Sequence, residues 1–508
     1  MSDYDLVVIG AGSAGGVIAS RVTEDPTKRV LLIEAGPDYS DLDATPTDLQ
    51  NVNKNSLVAH DWGFMYQPNA FSRATVPLPR GKVVGGSSAV NTAIALRGQP
   101  EDYDEWASMA GPEWAWEKCL PAFKRLENDQ DIHNDLHGCD GPIPIRRHTR
   151  DELVPVQRAS MDAAKRLGYP ECPDHNDPAT TGYGPHPMNK QGRLRMSVAI
   201  TYLAQARARS NLTIRPHTLV RRVVVRDGRV TGVELETDGA VETVDATRVV
   251  LSGGAIQTPA MLVRSGIGPR ETLDRLGVAV LKDAPGVGAK LLDHPGSMVV
   301  MVPRPGLVHG DQPLIQTTLR YTAKGSDDFN DMQLEPISFI QRLDDGGPLF
   351  TGLAAVVEKT HGHGWMRFES ADVHAQPVIE SNFLADEWDL DRMVEGIEIG
   401  MQFAETPEMR EVCETVVRPR PEEMADRDLM RAWLRRACGS GYHPSGTAPM
   451  GAPDDEAAVC GQYGRVFGVE GLFLADASIM PSIPRANTNI PTIMIGERFG
   501  EWLRDGVI

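Results

Sequence analysis

The sequence lacks any run of about 18 consecutive apolar residues, which is the length that a membrane-spanning helix needs. We therefore expect no transmembrane segment. The first residues are acidic rather than basic, and the apolar stretch that follows them already contains glycines, so the sequence does not predict a secretory signal either. Together these features predict a cytoplasmic protein.

Positive charge is also scarce. The chain has 51 Lys and Arg residues against 70 Asp and Glu residues, a formal net charge of −19. Nucleic acids and anionic membrane surfaces attract basic proteins, so neither is expected as a partner. The 508 residues, 41% of them hydrophobic, suffice for two or three domains with cores that can enclose a large cofactor.

The six cysteines are scattered and form no Cys-x-x-Cys pair, so the sequence predicts free thiols and neither a zinc site nor a redox motif. His361 and His363 are separated by one residue but have no further ligands nearby. We therefore interpret them as structural and expect no metal site.

The most informative local pattern is a glycine motif near the N-terminus. Residues 5–9 (D-L-V-V-I) predict a short buried strand, residues 10–15 read G-A-G-S-A-G, and residues 13–22 predict a helix of small residues. A second strand, Val30–Ile33, ends at Glu34. This strand, turn, helix and strand, closed by an acid, is the pattern of a dinucleotide-binding unit.

Each residue of this pattern has a physical task. Gly10 permits the tight turn, Gly12 lets the backbone approach a pyrophosphate, and Gly15 lets the helix pack closely on the sheet. Glu34 is placed to accept hydrogen bonds from ribose hydroxyls. The motif predicts a site for an ADP group, but by itself it does not separate FAD from NAD.

A second segment, residues 80–98, is rich in glycine and serine. Gly85, Gly86, Ser87 and Ser88 would bring backbone and hydroxyl donors close to phosphates or to a ring. Here the sequence resembles the glucose–methanol–choline (GMC) oxidoreductase family. Residues 81–104 look like its first signature, residues 254–268 look like its second, and the similarity covers essentially the whole chain.

The resemblance implies an α/β fold: a doubly wound, Rossmann-like FAD-binding domain and an α+β substrate domain with a mixed sheet. We assign residues 1–150, 192–297 and 440–508 to the first domain, and residues 151–191 and 298–439 to the second. Within the second, the sequence predicts strands at Ser297–Pro303, Leu314–Tyr321 and Met332–Ile340, and helices at 386–404 and 421–437.

The resemblance also implies which residues bind FAD. Asn91 would lie beside the flavin ring, Val220 would present backbone groups to adenine, and Asp476 would lie by the ribityl chain and pyrophosphate. The expected cofactor-binding residues are Gly10, Gly12, Ser13, Ala14, Gly15, Glu34, Ala35, Gly85, Gly86, Ser87, Asn91, Thr92, Ala93, Val220, Gly253, Asp476, Ala477, Asn489, Pro491 and Thr492.

One position departs from part of the family. Some members attach FAD covalently through a histidine just before the asparagine that corresponds to Asn91. This sequence has Val90 there, which has no nucleophile. We therefore expect FAD to be bound without a covalent bond.

The segment 441–447 (G-Y-H-P-S-G-T) contains the expected catalytic base. His443, flanked by Tyr442 and Pro444, looks like the family's catalytic histidine. Its partner is expected to be an asparagine near residue 490: Asn489 is our first choice and Asn487 is the alternative. His294, in an Asp-His-Pro turn, resembles a structural residue of the family.

These features predict FAD-dependent oxidation of a primary alcohol to the aldehyde, by hydride transfer to flavin N5 with His443 as the base. The pair of His and Asn resembles the choline dehydrogenase and hydroxymethylfurfural oxidase branch. Tyr442 and Glu335 are expected to lie in the substrate pocket. The sequence does not determine whether oxygen or another electron acceptor reoxidises the flavin, which alcohol is the substrate, or what the oligomeric state is. A flavin-containing lyase that cleaves cyanohydrins is an alternative function.

Overall fold

The fold is built around two sheets, which a computed structural model describes for residues 4–341 and 347–508. The first sheet has five parallel strands, in the spatial order Leu212–Arg215, Val30–Ile33, Leu6–Ile9, Val249–Leu251 and Leu472–Leu474. Four of these strands are buried, or nearly so, along their whole length, as expected for a parallel sheet with both faces covered. Leu212–Arg215, at the edge, is half-buried.

The second sheet has seven strands. Six follow one another in the order Cys413–Arg418, Pro295–Pro303, Phe350–Val357, Met332–Ile340, Thr317–Tyr321 and Gly182–Pro185, and Gly439–Ser440 pairs with Pro295–Pro303. Every described pairing in it is antiparallel, whereas a mixed sheet was predicted. Connections of about ten residues join three consecutive strands, and these are too short for the crossover that parallel neighbours need.

Smaller sheets complete the strand structure. A three-stranded antiparallel sheet contains Leu219–Arg226, Arg229–Thr237 and Ala240–Asp245. A four-stranded sheet contains Glu127–Asp129, Ile143–Arg146, Met188–Gln191 and Leu194–Arg195. Two-stranded pairs join Met65–Tyr66 to Val76–Pro77, Ile267–Gly268 to Lys282–Asp283, and Trp365–Arg367 to Val378–Glu380.

The helices pack on these sheets. The α-helices are Gly15–Val22, Thr47–Gln50, Pro100–Ala110, Trp116–Leu126, Pro155–Arg166, Ala204–Ala206, Gly254–Arg264, Arg270–Leu276, Glu387–Ala404, Pro407–Val412, Pro421–Ala425, Arg427–Ala437 and Asn489–Arg504. Short 3₁₀ turns lie at Gly86–Ala89, Pro112–Trp114, Arg150–Glu152 and Ala477–Ile479, and a π turn lies at Ala199–Leu203. Among the described residues, no helix is both long and apolar enough to cross a membrane.

The α/β fold class and most of the predicted elements are confirmed. The strands Val30–Ile33 and Met332–Ile340 have the predicted bounds, and the helix predicted at 386–404 is observed as Glu387–Ala404. The helix predicted at 421–437 is interrupted, because the carboxylate of Asp426 accepts the first backbone N–H groups of a new helix. The domain boundaries stay a prediction.

The two histidines considered as a metal pair are separated by their packing. His361 stacks on Trp388, with ring centroids 4.0 Å apart, and His363 Nδ1 contacts the carbonyl of Gly364. Their imidazoles therefore have structural partners, and the absence of a metal site here stays a prediction.

A buried group of ion pairs surrounds His137. Its Nε2 lies 2.8 Å from Asp174 Oδ2, and its Nδ1 lies 3.1 Å from Glu127 and 3.0 Å from Asp129. We call this group the His137 cluster; it contains Glu127, Asp129, Asp174, His137, Arg97 and Arg147. Three ligand-type atoms lie close enough together to hold a metal ion. The two arginines, however, already bind the same carboxylates.

The charges of the His137 cluster balance. Burial by itself lowers the pKa of His137, but hydrogen bonds to Asp129, Asp174 and Glu127 outweigh it and raise that pKa to about 10. The histidine is therefore a cation at neutral pH, and three cations face three carboxylates. Removing one partner from such a buried network leaves an uncompensated charge, which costs about 3–5 kcal/mol.

We expect His137→Gln to destabilise the protein most at low pH. Below pH 6.5 the histidine is protonated in both the folded and the unfolded state, so its contribution is complete, and it disappears as the pH rises to about 10. The melting temperatures of wild type and variant should differ most near pH 6 and converge toward pH 10. His374→Gln, at an exposed histidine, is the matched control. A difference that is independent of pH would contradict the assigned charge state.

Candidate active site

A cavity of about 1400 Å³ lies where the two large sheets face each other. Ile9, Ile33 and Ser252 line it at the carboxyl ends of parallel strands, and Glu335 and Ala354 line it from the antiparallel sheet. The carboxyl ends of parallel strands are the usual place for ligands in α/β proteins. A single small-molecule pocket measures about 300–1,000 Å³, so this cavity has room for a dinucleotide together with a small substrate.

The N-terminal glycines shape one end of the cavity. Gly10 has a φ of +96°, and a Cβ there would lie 2.3 Å from the carbonyl oxygen of Ser252. At Gly15 a Cβ would lie 2.0 Å from the carbonyl oxygen of Gly10. Neither position accepts a side chain, because the turn and the helix pack directly on the sheet.

Gly12 is different, because the space in front of it is open. It lines the cavity, and the nearest atom to an added Cβ would be Gly86 Cα, at 3.7 Å. Gly86 belongs to the second glycine segment and has a φ of +51°. The two glycines thus leave bare backbone facing the cavity, as a bound pyrophosphate requires.

Glu34 closes the same end of the cavity. Its carboxylate accepts the backbone N–H of Ala11 at 2.9 Å and that of Gly36 at 3.0 Å. Burial raises the pKa of Glu34 to about 7, although these hydrogen bonds oppose the shift. Val220 also lines the cavity. The acid is therefore held in place by the surrounding backbone at the cavity wall.

Asp476 joins two segments at the middle of the cavity. It accepts the backbone N–H groups of Gly254 at 2.8 Å and Ser478 at 2.7 Å, and the hydroxyl of Thr258 at 2.6 Å. The side chain is completely buried, which raises its pKa. Asp476 thereby holds the start of helix Gly254–Arg264 at the cavity wall.

The structure brings most of the predicted cofactor residues to this cavity. Four of them do not line it: Gly15, Gly85, Ala93 and Pro491. The others do: Gly10, Gly12, Ser13, Ala14, Glu34, Ala35, Gly86, Ser87, Asn91, Thr92, Val220, Gly253, Asp476, Ala477, Asn489 and Thr492. Segments far apart in sequence thus converge on one cavity.

His443 lies at the other end of the cavity wall, between two side chains. Its Nε2 lies 3.1 Å from Asn487 Nδ2, and its Nδ1 lies 2.9 Å from His294 Nδ1. The backbone N–H of His443 donates to Asp293 at 2.9 Å, and the preceding residue, Tyr442, has a φ of +66°. This left-handed residue turns the chain so that the imidazole faces the cavity.

Asn487, the alternative choice, is thus the asparagine that contacts His443. Asn489, the first choice, instead accepts a 2.8 Å hydrogen bond from Ser13 Oγ. Helix Asn489–Arg504 begins at Asn489, so its side chain projects toward the N-terminal glycine turn, whereas Asn487 precedes the helix. Asn489 Nδ2 is buried and has no partner among the described residues, so a donor is left over for a ligand in the cavity.

The electrostatic environment keeps His443 neutral. Burial, the neighbouring His294 and the guanidinium of Arg80 all hold its pKa well below the usual 6.5. A neutral imidazole has one nitrogen with a free lone pair and can accept a proton.

The wall formed by the antiparallel sheet has two acids. Glu335, predicted to lie in the substrate pocket, lines the cavity, and His186 Nε2 lies 3.3 Å from it. Glu358 also lines the cavity, and burial raises its pKa to about 8. Glu358 was not predicted from the sequence, because it follows a strand of small and apolar residues without any motif.

Aromatic side chains border the cavity near His443. Tyr442, predicted to lie in the pocket, lines it and is 39% exposed, so it stands at an open edge. Trp62 also lines the cavity and stacks on Phe64. Arg80 is a further lining residue without a predicted role. Arg80 is the first residue of the glycine-rich segment 80–98, and this position is the sequence feature that could have indicated its place at the cavity.

Comparison with known proteins accounts for this arrangement. The GMC oxidoreductase family models match residues 4–296 and 360–496. The chain belongs to the GMC oxidoreductase family. Members of this family are FAD-binding enzymes that act on CH–OH groups, and the protein is accordingly an oxidoreductase.

Relatives in this family cover nearly the whole chain. An oxygen-dependent choline dehydrogenase from Photobacterium profundum is 33% identical, over 97% of this chain and 92% of the relative. A 5-(hydroxymethyl)furfural oxidase from Methylovorus sp. is 33% identical, over 98% of both chains. The crystal structure of pyridoxine 4-oxidase from Mesorbium loti superposes with a TM-score of 0.90, at 28% identity, over 98% of this chain and 99% of that one.

The residues of the GMC site fit FAD. Bare glycine backbone faces one end of the cavity, Glu34 lies beside it, and the Asn489 amide Nδ2, which has no partner in the part of the chain that the structure describes, can donate to a cofactor oxygen. The cavity continues to His443, and its volume of about 1400 Å³ accommodates a small substrate in addition to the cofactor.

Proposed function

We propose that the protein oxidises a primary alcohol to the aldehyde, with His443 as the general base. The observation that carries this proposal is the neutral His443 imidazole, whose Nε2 lies beside Asn487 on the wall of the FAD-sized cavity. A substrate hydroxyl that displaces the amide of Asn487 from His443 Nε2 loses its proton to that nitrogen, and the displaced amide then faces the substrate oxygen. Such a base contributes about 10²–10⁴-fold to the rate.

The other residues orient the substrate and hold the base. The amide of Asn487 donates to the alkoxide oxygen as its charge develops. Asp293 holds the backbone of His443, and the loop cannot shift without breaking that hydrogen bond. Bound flavin supplies the hydride acceptor, its N5 atom. The apolar part of the wall, which includes Ile337 and Val356, excludes water from the reacting carbon.

The two asparagines should have different effects. Asn487→Ala removes the donor next to His443, so we expect the rate constant of flavin reduction to fall about 10- to 100-fold with FAD retained. Asn489→Ala removes a partner of Ser13 at the glycine turn, so we expect it mainly to weaken FAD binding. Stopped-flow reduction and the FAD content of each variant measure the two effects. Exchange of the two phenotypes would return the catalytic role to Asn489.

We also propose that FAD is bound without a covalent bond. Val90 stands where some family members have the histidine that links the flavin, and it is 7% exposed. Acid precipitation should therefore leave the yellow colour in the supernatant and a colourless pellet. A pellet that keeps the flavin spectrum would show a covalent bond elsewhere in the site.

The substrate is proposed to be a small primary alcohol. Relatives named for choline, 5-(hydroxymethyl)furfural and pyridoxine support this class, since each of these molecules carries a primary alcohol. An anaerobic panel of such alcohols should bleach the flavin absorbance with at least one member. Cyanide release from a cyanohydrin without any bleaching would support a lyase instead.

The electron acceptor can be identified with the same panel. Reoxidation by oxygen yields hydrogen peroxide, whereas a dehydrogenase needs an added artificial acceptor for turnover. Both assays are run in parallel on the alcohol that bleaches the flavin, and the assay with the higher rate identifies the electron acceptor. This comparison also separates an oxidase from a choline-type dehydrogenase with another acceptor.

A further inference from the structure

His294 lies behind His443, on the side away from the cavity. Its Nδ1 is 2.9 Å from His443 Nδ1, and the planes of the two rings meet at 76°. His294 has no exposed surface, whereas His443 is half-buried and lines the cavity. The inner histidine therefore cannot meet a substrate, but it contacts the nitrogen of His443 that the proposed reaction does not use.

The backbone holds this contact in place. Leu292 and Ser445 exchange two N–H···O hydrogen bonds of 2.9 Å, and Gly441 N–H donates to the carbonyl of His294 at 2.7 Å. Asp293 Oδ1 accepts the backbone N–H of His443. Residues 292–295 and 440–445 thus form a short antiparallel ladder that holds the two imidazoles side by side.

The two Nδ1 atoms share one hydrogen, and its position matters. If His443 Nδ1–H donates to His294, then His443 Nε2 keeps its lone pair toward the cavity and can accept a proton. If His294 Nδ1–H donates instead, His443 carries its hydrogen on Nε2 and cannot act as a base there. In a neutral imidazole the hydrogen bond at one nitrogen determines which tautomer is present.

Both ends of the pair favour the first arrangement. At the outer end, the amide Nδ2 of Asn487 faces His443 Nε2 at 3.1 Å, so that nitrogen is an acceptor. At the inner end, the backbone carbonyls of Glu358 and Pro484 lie against the His294 ring and attract an N–H group. With Nδ1 engaged by His443, that N–H belongs to Nε2, which makes no hydrogen bond of normal geometry among the described residues.

Burial also keeps His294 uncharged. It lowers the pKa of His294 to about 3, against the opposing effect of Asp102. Glu358 Oε2 lies 3.9 Å from His294 Nδ1, and burial raises the pKa of this carboxyl group to about 8, so a full negative charge does not face the ring at neutral pH. A neutral imidazole can accept one hydrogen bond and donate one, as the arrangement requires.

We propose that His294 is a positioning residue: by accepting the Nδ1–H of His443, it holds the tautomer whose Nε2 takes the proton of the substrate. The proposal rests on the proposed role of His443 as the base. It goes beyond the structural turn expected for the segment 293–295, because it gives the side chain of His294 a task in the reaction.

Neutron diffraction from crystals of the FAD-bound protein in D₂O tests the tautomers directly, because it locates deuterium. We expect deuterium on Nδ1 of His443 and on Nε2 of His294. Deuterium on Nδ1 of His294, or on Nε2 of His443, would overturn the proposal. This readout needs no substrate and no turnover. If His443→Ala left flavin reduction unchanged, the proposed function would fail, while the neutron result on the tautomers would still stand.

Two variants test the consequence for the rate. His294→Asn places a carbonyl oxygen near the position of the imidazole Nδ1 and keeps an acceptor, whereas His294→Leu removes it. We expect His294→Leu to slow flavin reduction at saturating alcohol about 10- to 100-fold, with little change in KM, and His294→Asn to restore most of the rate. Equal losses in both variants would contradict the proposal. FAD content and melting temperature verify folding, and if His294→Leu does not fold, the neutron result decides.

Discussion

His443→Ala is expected to lower the rate constant of flavin reduction by at least ~100-fold while FAD stays bound, because it removes the only imidazole placed to accept the substrate proton from the described cavity wall. Its neighbours, Asn487 and the buried His294, cannot take over. The amide is not a base, and His294 has no access to the cavity. Anaerobic stopped-flow mixing with an active alcohol measures this rate.

Two controls make this experiment decisive. The flavin spectrum of the variant shows whether the cofactor is retained, and His374→Ala removes an exposed histidine outside the cavity. The wild-type profile offers a further check, because burial, His294 and Arg80 hold the pKa of His443 well below 6.5. Reduction should therefore slow on acidification only below that pH. An unchanged rate in His443→Ala would remove the base from the proposed mechanism.

Gly12→Ala is expected to yield a folded protein that has lost most of its affinity for FAD. The added Cβ meets no protein atom closer than 3.7 Å, so the fold tolerates it, but it enters the space that the pyrophosphate would occupy. Overpacking of this kind costs about 1–3 kcal/mol, so the dissociation constant should rise about 5- to 150-fold. Titration of the apo-protein with FAD, followed by flavin fluorescence, measures it.

Gly461→Ala is the matched control for this substitution. Its Cβ would also meet only an ordinary contact, with Phe467 at 3.5 Å, and Gly461 does not line the cavity. Both variants should therefore melt close to the wild-type apo-protein, and only Gly12→Ala should bind FAD poorly. Equal FAD affinity in the two variants would show that the pyrophosphate lies elsewhere.

The nucleotide end of the site could be predicted from the sequence because its geometry is local. Gly10, Gly12 and Gly15 lie within one turn and one helix, and Glu34 closes the adjacent parallel strand. Their relative positions follow from the backbone conformations that glycine permits and from the regular spacing of strands. The structure accordingly places the turn and Glu34 as expected, joined by the hydrogen bond from Ala11.

The catalytic end could not be predicted to the same detail. Asn487 and Asn489 are two residues apart, and which one meets His443 depends on where helix Asn489–Arg504 begins and how it is rotated. Both are consequences of its packing against helices Gly15–Val22 and Trp116–Leu126. The sequence alone left open which asparagine is the partner of His443, and Asn487, the less favoured choice, makes the contact.

The antiparallel second sheet illustrates the same limit. Three of its seven strands were predicted from their apolar patterns, but the order in which the strands pair is a long-range property of the fold. Only that order brings Glu335 and Glu358 to a common cavity wall.

By itself, the sequence determined the glycine turn with Glu34, the family, and His443 as the candidate base. Each of these depends on residues that are near neighbours in the chain. The tertiary structure alone decided that Asn487 and His294, 44 and 149 residues away from His443, are its hydrogen-bond partners. The reason is physical: a hydrogen bond requires two atoms to meet within about 3 Å, and for distant segments that distance is set by the packing of the whole fold.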